Sequence, residues 1–463
     1  MWVRSKTPPR QTGKRGLLSR IRDDFTTEVE SLAALAARGV GGVTGGGLPV
    51  LEEAIRAGMT ALGASLLEGL LAADSGHRGP RIECGSGHLA EFVSYRTKDI
   101  DTVLGTVQVQ RAYYHCRKCR AGVVPRDAEL GVCGSSISGG LASMIATAGA
   151  AVPFAQAAGL IKDLAGIALG TKRVERAAEA VGAAATASLK ADTEAVLAGR
   201  VVPLPPPAPP PEILYLAVDG TGVPMTLAET EGRAGKGPDG RARTREAKLG
   251  CLFTQTGLDD EGRPVRDEDS TSYFATLEPV EKFSDLVAAE AKRRGYEHIR
   301  QFVFLGDGAH WIWNMATARL PEATQIVDLF HAREHLHELA NLLAFIITED
   351  PNDWYQARRT ELDSGDIDAI TNAAMIYPLV GSKAKERTKA LAYFQRNAHR
   401  MQYARFRRLG MFVGSGTVEA GCKAVIGQRL KLSGMRWSDP GATSIITLRC
   451  QHASTHRNQT TAA

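Results

Sequence analysis

The chain has 463 residues, 44% of them hydrophobic and 23% charged, with a formal net charge of +5 and a pI near 8.8. That length predicts two or three domains of ordinary globular composition. No apolar run is long enough to suggest a membrane span, and no long apolar stretch follows the basic start, which argues against a secretory signal and for a cytoplasmic address. Seven cysteines, an odd number, argue against a disulfide framework. The charge is compatible with nucleic-acid binding without requiring it, although the N-terminal arm and residues 383–389 and 396–408 concentrate the positive side chains.

Residues 1–80 read as helical, interrupted by a glycine-rich break at 39–47, with an amphipathic helix over 48–73. Residues 81–130 switch to the alternation of short strands, with Gly105 at a turn. This module carries Cys116 and Cys119 in YYHCRKCR, a C-x-x-C knuckle of the zinc-ribbon kind, and upstream the segment CGSGH with Cys84 and His88. Those four would close a tetrahedral structural zinc site; the alternative is a set of buried free cysteines. Cys133, Cys251, Cys422 and Cys450 have no partner at metal spacing and read as packed residues.

Residues 131–200 are alanine-rich and helical. Helices over 153–166 and 171–184, joined by a short turn, have the layout of a helix-turn-helix, with Thr171 as N-cap and Lys172, Arg173 and Arg176 placed to meet DNA. Plain helical scaffold fits the same spacing. Residues 201–212, VVPLPPPAPPPE, form an extended polyproline linker and the clearest domain boundary.

Past the linker, ILYLAVDGTGVPM predicts a buried strand ending at Asp219. Strands are expected at 249–254 and 272–276, a mobile loop at 229–245 and a helix at 282–294. FVFLGDGAHWIW predicts a second strand with Asp307 at its exit, and TQIVDLFHAREHL a third, followed by Asp328 and His331. Carboxylates gathered along one sheet edge repel one another unless a cation neutralises them, and Mg²⁺ or Mn²⁺ suits all-oxygen donors. In MFVGSGTVEAGCKAVIG a helix beginning near Thr417 places Glu419 in its first turn, with Lys423 one turn further on the same face.

The blocks VDGTGVPM, TREAKLGCLFTQT, LGDGAHWIW, IVDLFHAREHL and GSGTVEAGCK, together with LGTVQVQRAYYHCRKC and KLSGMRWSDPGA, resemble those of the Kra-type insertion-sequence (ISKra) transposases, a branch of the Mutator-like DDE transposases. The resemblance implies a multidomain α+β chain. A helical, zinc-ribbon and helix-turn-helix region would precede a ribonuclease-H-like α/β catalytic core over 213–463, with a helical insertion at about 334–408. It implies two divalent ions held by Asp219, Asp307 and Glu419, with Asp328 and His331 auxiliary; here the Asp stands three positions before the His, where the family has two. It further implies double-stranded DNA partners, transposon ends and target, and a homodimer or larger assembly on the nucleoid. Trp354, in the insertion, would either stack on a flipped base or serve as a core tryptophan, and Trp437, bracketed by Lys431 and Arg436, would either face the DNA backbone or cap the catalytic core.

Two other readings stand beside this one. HAREH matches the zinc-peptidase motif H-x-x-E-H through His331, Glu334 and His335. A transposase-derived DNA-binding protein without catalysis would keep only the N-terminal modules.

Overall fold

The computed structural model describes residues 47–201, 210–235, 237, 239–414 and 416–455, with scattered positions between 4 and 34. Most of the proline-rich linker, and of the glycine-rich break at 39–47, lies outside the described residues. The chain is mixed α/β and divides into two units, Met1–Val181 and Gly182–Ala463.

In the first unit, β1 (Arg4–Ser5), β2 (Arg81–Glu83), β3 (Leu89–Thr102), β4 (Gly105–Cys116) and β5 (Ala121–Val123) form one antiparallel sheet in the order β1-β3-β4-β5, with β2 also on β3. Arg4 and Ser5, expected to be helical, instead pair with Arg96 and Tyr95. The long β3–β4 hairpin turns at Val103–Leu104 and buries a different face of β4 at each end: Val107 and Val109 pack with Ile100 and Val132, while Ala112, Tyr114 and Cys116 on the opposite face pack with Cys84, Ala90 and Tyr95.

Helix α1 (Gly47–Leu71) lies where the sequence placed it. By length and composition alone it is apolar enough to cross a membrane, with mean hydropathy 1.2. Glu52, Glu53, Arg56 and Glu68 break its apolar run, as the sequence shows. Helices α2 (Pro125–Glu129), α3 (Gly139–Ala151) and α4 (Phe154–Ala165) follow, the last ending on left-handed Gly166. Helix α5 runs from Thr171 through Ala184 to Leu197 as one element, because Gly182 is its one glycine and the alanine-rich sequence around it sustains the helix. The boundary between the units falls inside it.

The second unit is built on a mixed five-stranded sheet. Its strands are β6 (Ile213–Pro224), β7 (Thr244–Gln255), β10 (Ser272–Thr276), β11 (Gln301–Gly306) and β12 (Thr324–Val327), in the order β10-β7-β6-β11-β12. β6, β11 and β12 run parallel, while β7 and β10 are antiparallel to their neighbours. Ile213–Val218 and the stretch from Ala247 to Gln255 are buried throughout, as strands covered on both faces must be. A small hairpin, β8 (Gly257–Leu258) with β9 (Pro264–Val265), projects from the end of β7.

The helices are α6 (Leu227–Thr230), α7 (Val280–Arg293), α8 (His310–Arg319) and α9 (Leu329–Leu343), then the helical segment α10 (Pro351–Ser364), α11 (Ile367–Met375), α12 (Gly381–Asn397) and α13 (Tyr403–Arg408). The chain ends through α14 (Gly416–Gly421), a π-helical turn (Cys422–Gly427), α15 (Gln428–Leu430) and α16 (Asp439–Ala453). Gly182 of α5 fits against α16 so closely that a Cβ there would stand 2.5 Å from the Ser444 carbonyl oxygen, and Thr186 is hydrogen-bonded to Thr447 at 2.8 Å.

Candidate active site

The hydrogen-bond ladder of the second sheet positions three carboxylates. Val218 of β6 pairs with Gly306 of β11, and Gly306 pairs in turn with Val327 of β12. The next residue on each strand is Asp219, Asp307 and Asp328, so all three stand at one level on adjacent strands, spaced by the roughly 4.8 Å of strand pairing. Asp219 does not end its strand as expected. β6 continues to Pro224 in pairing with β7, and Asp219 is where it loses β11 as a neighbour.

Each carboxylate is held by local backbone. Asp219 accepts from the Gly220 amide at 2.7 Å, and Asp307 from the Ala309 amide at 2.8 Å. Fully buried Asp328 caps α9 by accepting from the His331 amide at 2.8 Å, while its own amide donates to the Gly306 carbonyl at 2.8 Å. Gly308 has φ +94, and a Cβ there would meet the Tyr393 ring at 2.6 Å, so the turn after Asp307 requires glycine. The Tyr393 hydroxyl donates to the Asp307 carbonyl at 3.2 Å.

Glu419 arrives from the far side of the helical segment. The Leu329 amide donates to the Val413 carbonyl at 2.9 Å, which ties the start of α9 to the loop before α14. Glu419 lies in the first turn of α14, as expected, with Oε1 at 4.0 Å from His331 Nε2. One ligand atom each from Asp328, His331 and Glu419 fall within 4.8 Å of one another, so the three can hold a metal ion. Asp219 and Asp307 flank that group. Burial raises the Asp219 carboxyl above its ordinary range and the charge of Asp307 raises it further, against hydrogen bonds from Cys422 and the Gly220 amide.

Cys422 was read from sequence as an ordinary packed residue. It is buried and hydrogen-bonded to Asp219, and burial together with the Asp219 charge pushes its thiol well above the usual range. Its position three residues after Glu419, on one helix face, was the available signal. Tyr393, in the helical segment, carried no motif at all.

The peptidase pattern is not assembled. His331 Nδ1 lies 3.2 Å from Glu334, whereas His335 pairs with Glu338 at 3.1 Å and sits against Tyr393 at 4.1 Å between ring centroids. The metal-capable group contains His331 and not His335.

Several expected DNA contacts are corrected. Trp354 is 1% exposed and packed in the core of the helical segment, so its ring is not available to stack on a base. Trp437 is 6% exposed, its indole donating to the Leu430 carbonyl at 3.0 Å. Arg173 pairs with Asp101 at 2.5 Å and with Ser136, and Lys172 with Glu175 at 2.8 Å, while both side chains remain exposed. Arg176, Lys423 and Arg436 are exposed. Lys423 lies in the π-helical turn rather than on a continuing α-helix. Lys431 is also exposed and donates to the Thr221 hydroxyl. The side chain of Thr417, the expected start of the Glu419 helix, lies outside the described residues.

In the first unit, the β2–β3 turn carries Cys84 and His88 and the β4–β5 turn carries Cys116 and Cys119. The four ligand atoms fall within 4.8 Å of one another and can hold a metal ion. Cys84 Sγ is 3.7 Å from Cys119 Sγ, and His88 Nδ1 is 3.2 Å from it. Cys84 and Cys116 are buried, and hydrogen bonding, led by the Ser86 amide, lowers the Cys84 thiol. No protein-family model matches this chain, and no curated protein matches it either.

Proposed function

We propose that this chain is a DDE-type DNA transposase of an insertion sequence, acting through a ribonuclease-H-like core in the second unit. The observation that carries the reading is the row of Asp219, Asp307 and Asp328 on adjacent strands, closed by Glu419 from beyond a helical segment. Four carboxylates and an imidazole around one sheet edge fit divalent cations, because a cation offsets the mutual repulsion that raises Asp219. When bound, two Mg²⁺ or Mn²⁺ ions supply Lewis-acid polarisation of the phosphodiester.

The chain's own residues do the rest. The Gly220 and Ala309 amides orient Asp219 and Asp307 toward the reacting strand. Asp328, locked as a helix cap, sets the direction of α9 and so of His331. Glu419 completes the donor set from α14.

For the first unit, the set of three cysteines and one histidine on two facing turns is the donor chemistry of structural zinc, and we assign zinc there, in a ribbon that positions the DNA-binding region. The DNA partners are transposon ends and target, bound by a homodimer or larger assembly.

The test is strand transfer by the purified chain on duplexes bearing the inverted repeats that flank its reading frame, with Mn²⁺. Joining that is lost in Asp219→Ala and Glu419→Gln is the expected result. Cleavage without joining would turn the reading to a nuclease, and peptide hydrolysis surviving Asp219→Ala would overturn it.

A further inference from the structure

The basic stretch at 396–408, RNAHRMQYARFRR, contains five arginines, one histidine and no acidic residue. Elsewhere in the same unit, arginines are matched to carboxylates: Arg333 to Asp363 at 2.5 Å, Arg358 to Glu361 at 2.6 Å, Arg319 to Asp285 at 2.6 Å. Among the described residues, Arg396, Arg400, Arg405, Arg407 and Arg408 have no carboxylate partner. Arg400 is half-buried and bonds only to neutral amides, Gln325 at 2.7 Å and Asn397 at 3.0 Å, with its guanidinium 4.6 Å from the centre of the Trp313 ring. A cation withdrawn from water without a counter-charge is costly, and an external anion would offset that cost.

Arg400 and Arg405 line a cavity of about 430 Å³ whose walls also include Gln301, Thr324, Gln325 and His399. One side of the wall is polar, where Gln301 Nε2 donates to Thr324 at 3.3 Å and Gln325 Nε2 donates to Thr317 at 3.4 Å, and Phe406, Leu409 and Met411 form the apolar side. Gln301 and Thr324 open β11 and β12, so the cavity lies at the opposite end of the strands from Asp307 and Asp328. Six residues of extended chain separate Gln301 from Asp307, about 20 Å.

We infer that this cavity is a second nucleic-acid contact, holding backbone phosphates of duplex DNA through Arg400 and Arg405 while the chain is engaged at the carboxylates. Guanidinium forks match phosphate oxygens, and such contacts fix register without reading sequence. The choice of DNA as the source of the phosphates rests on the transposase reading; the phosphate chemistry rests on the cavity.

The test is binding of a labelled random-sequence duplex to the full chain, in buffer without added Mg²⁺ or Mn²⁺ and without chelator, across a salt series. Arg405 is exposed, so Arg405→Ala and Arg405→Glu leave the fold intact, and Arg400→Gln is the more severe companion. Arg405→Ala should lower the slope of log affinity against log salt by about 1 and weaken binding several-fold, with Arg405→Glu weaker still. Unchanged slope and affinity in folded Arg405→Glu overturns the site. If inorganic phosphate binds in an Arg405-dependent manner while duplex binding does not depend on Arg405, the pocket serves small anions, and the proposal fails in that form. A chain that binds duplex with the Arg405-dependent slope yet joins no strands supports the phosphate contact and ends the transposase reading.

Discussion

His331 Nε2 lies 4.0 Å from Glu419 Oε1, joining the helix that leaves β12 to the one that returns after the whole helical segment. With Asp328 as the helix cap beneath it, His331 is the side chain that spans the two walls of the site. His331→Ala should reduce the rate of strand transfer by about 10–100-fold, the usual effect of removing a group that orients metal ligands. The comparison of rates over a Mn²⁺ titration checks it, since weaker metal affinity would appear as a rate partly restored at high Mn²⁺.

Cys422 stabilises the ionised form of Asp219 by hydrogen bonding, opposing the upward shift caused by burial and Asp307. Removing that bond in Cys422→Ala raises the Asp219 carboxyl further. A group that must be ionised is then lost at a higher pH, so the acidic limb of the pH–rate profile should move to higher pH. Cys422→Ser, which keeps a donor, should move it less.

The Cys84, His88, Cys116 and Cys119 cluster should yield one zinc per chain by atomic absorption. Cys116 is buried with no exposed surface, so Cys116→Ser should abolish that zinc and lower the melting temperature of the first unit. Structural zinc sites contribute directly to folding free energy. Prolonged chelation should reproduce the loss, and added zinc should reverse it.

Trp354 separates core packing from base stacking. As a buried side chain it should cost about 3–5 kcal/mol on truncation to alanine, read by denaturant unfolding. Trp354→Phe keeps most of the packing and an aromatic face, and should restore most of that stability. Neither substitution should change duplex affinity in folded protein.

Much of the sheet edge was legible because buried parallel strands write themselves as continuous apolar runs, and Asp307 and Asp328 follow two such runs directly. Asp219 was found for the same reason, but the course of β6 beyond it was not. Gly220 and Gly222 look like a turn, and only the partner strand β7 makes them extended. The grouping of Glu419 with Asp328 and His331 depends on the Leu329–Val413 bond between distant segments, which no local pattern reports. Trp354 and Trp437 stayed open between core and DNA surface because residue type says nothing about burial, and the structure buries both. The strand at Arg4–Ser5 was missed for a related reason: pairing with β3 overrode weak local signals.

Because the three aspartates are aligned by backbone pairing rather than by side-chain packing, their alignment is indifferent to most substitutions around them but intolerant of changes in chain length. One residue inserted between Gln301 and Asp307 would turn that carboxylate to the opposite face of the sheet. Lineages of this protein should therefore vary in length within the 229–245 loop and the helical segment, and keep a fixed count of residues along β6, β11 and β12.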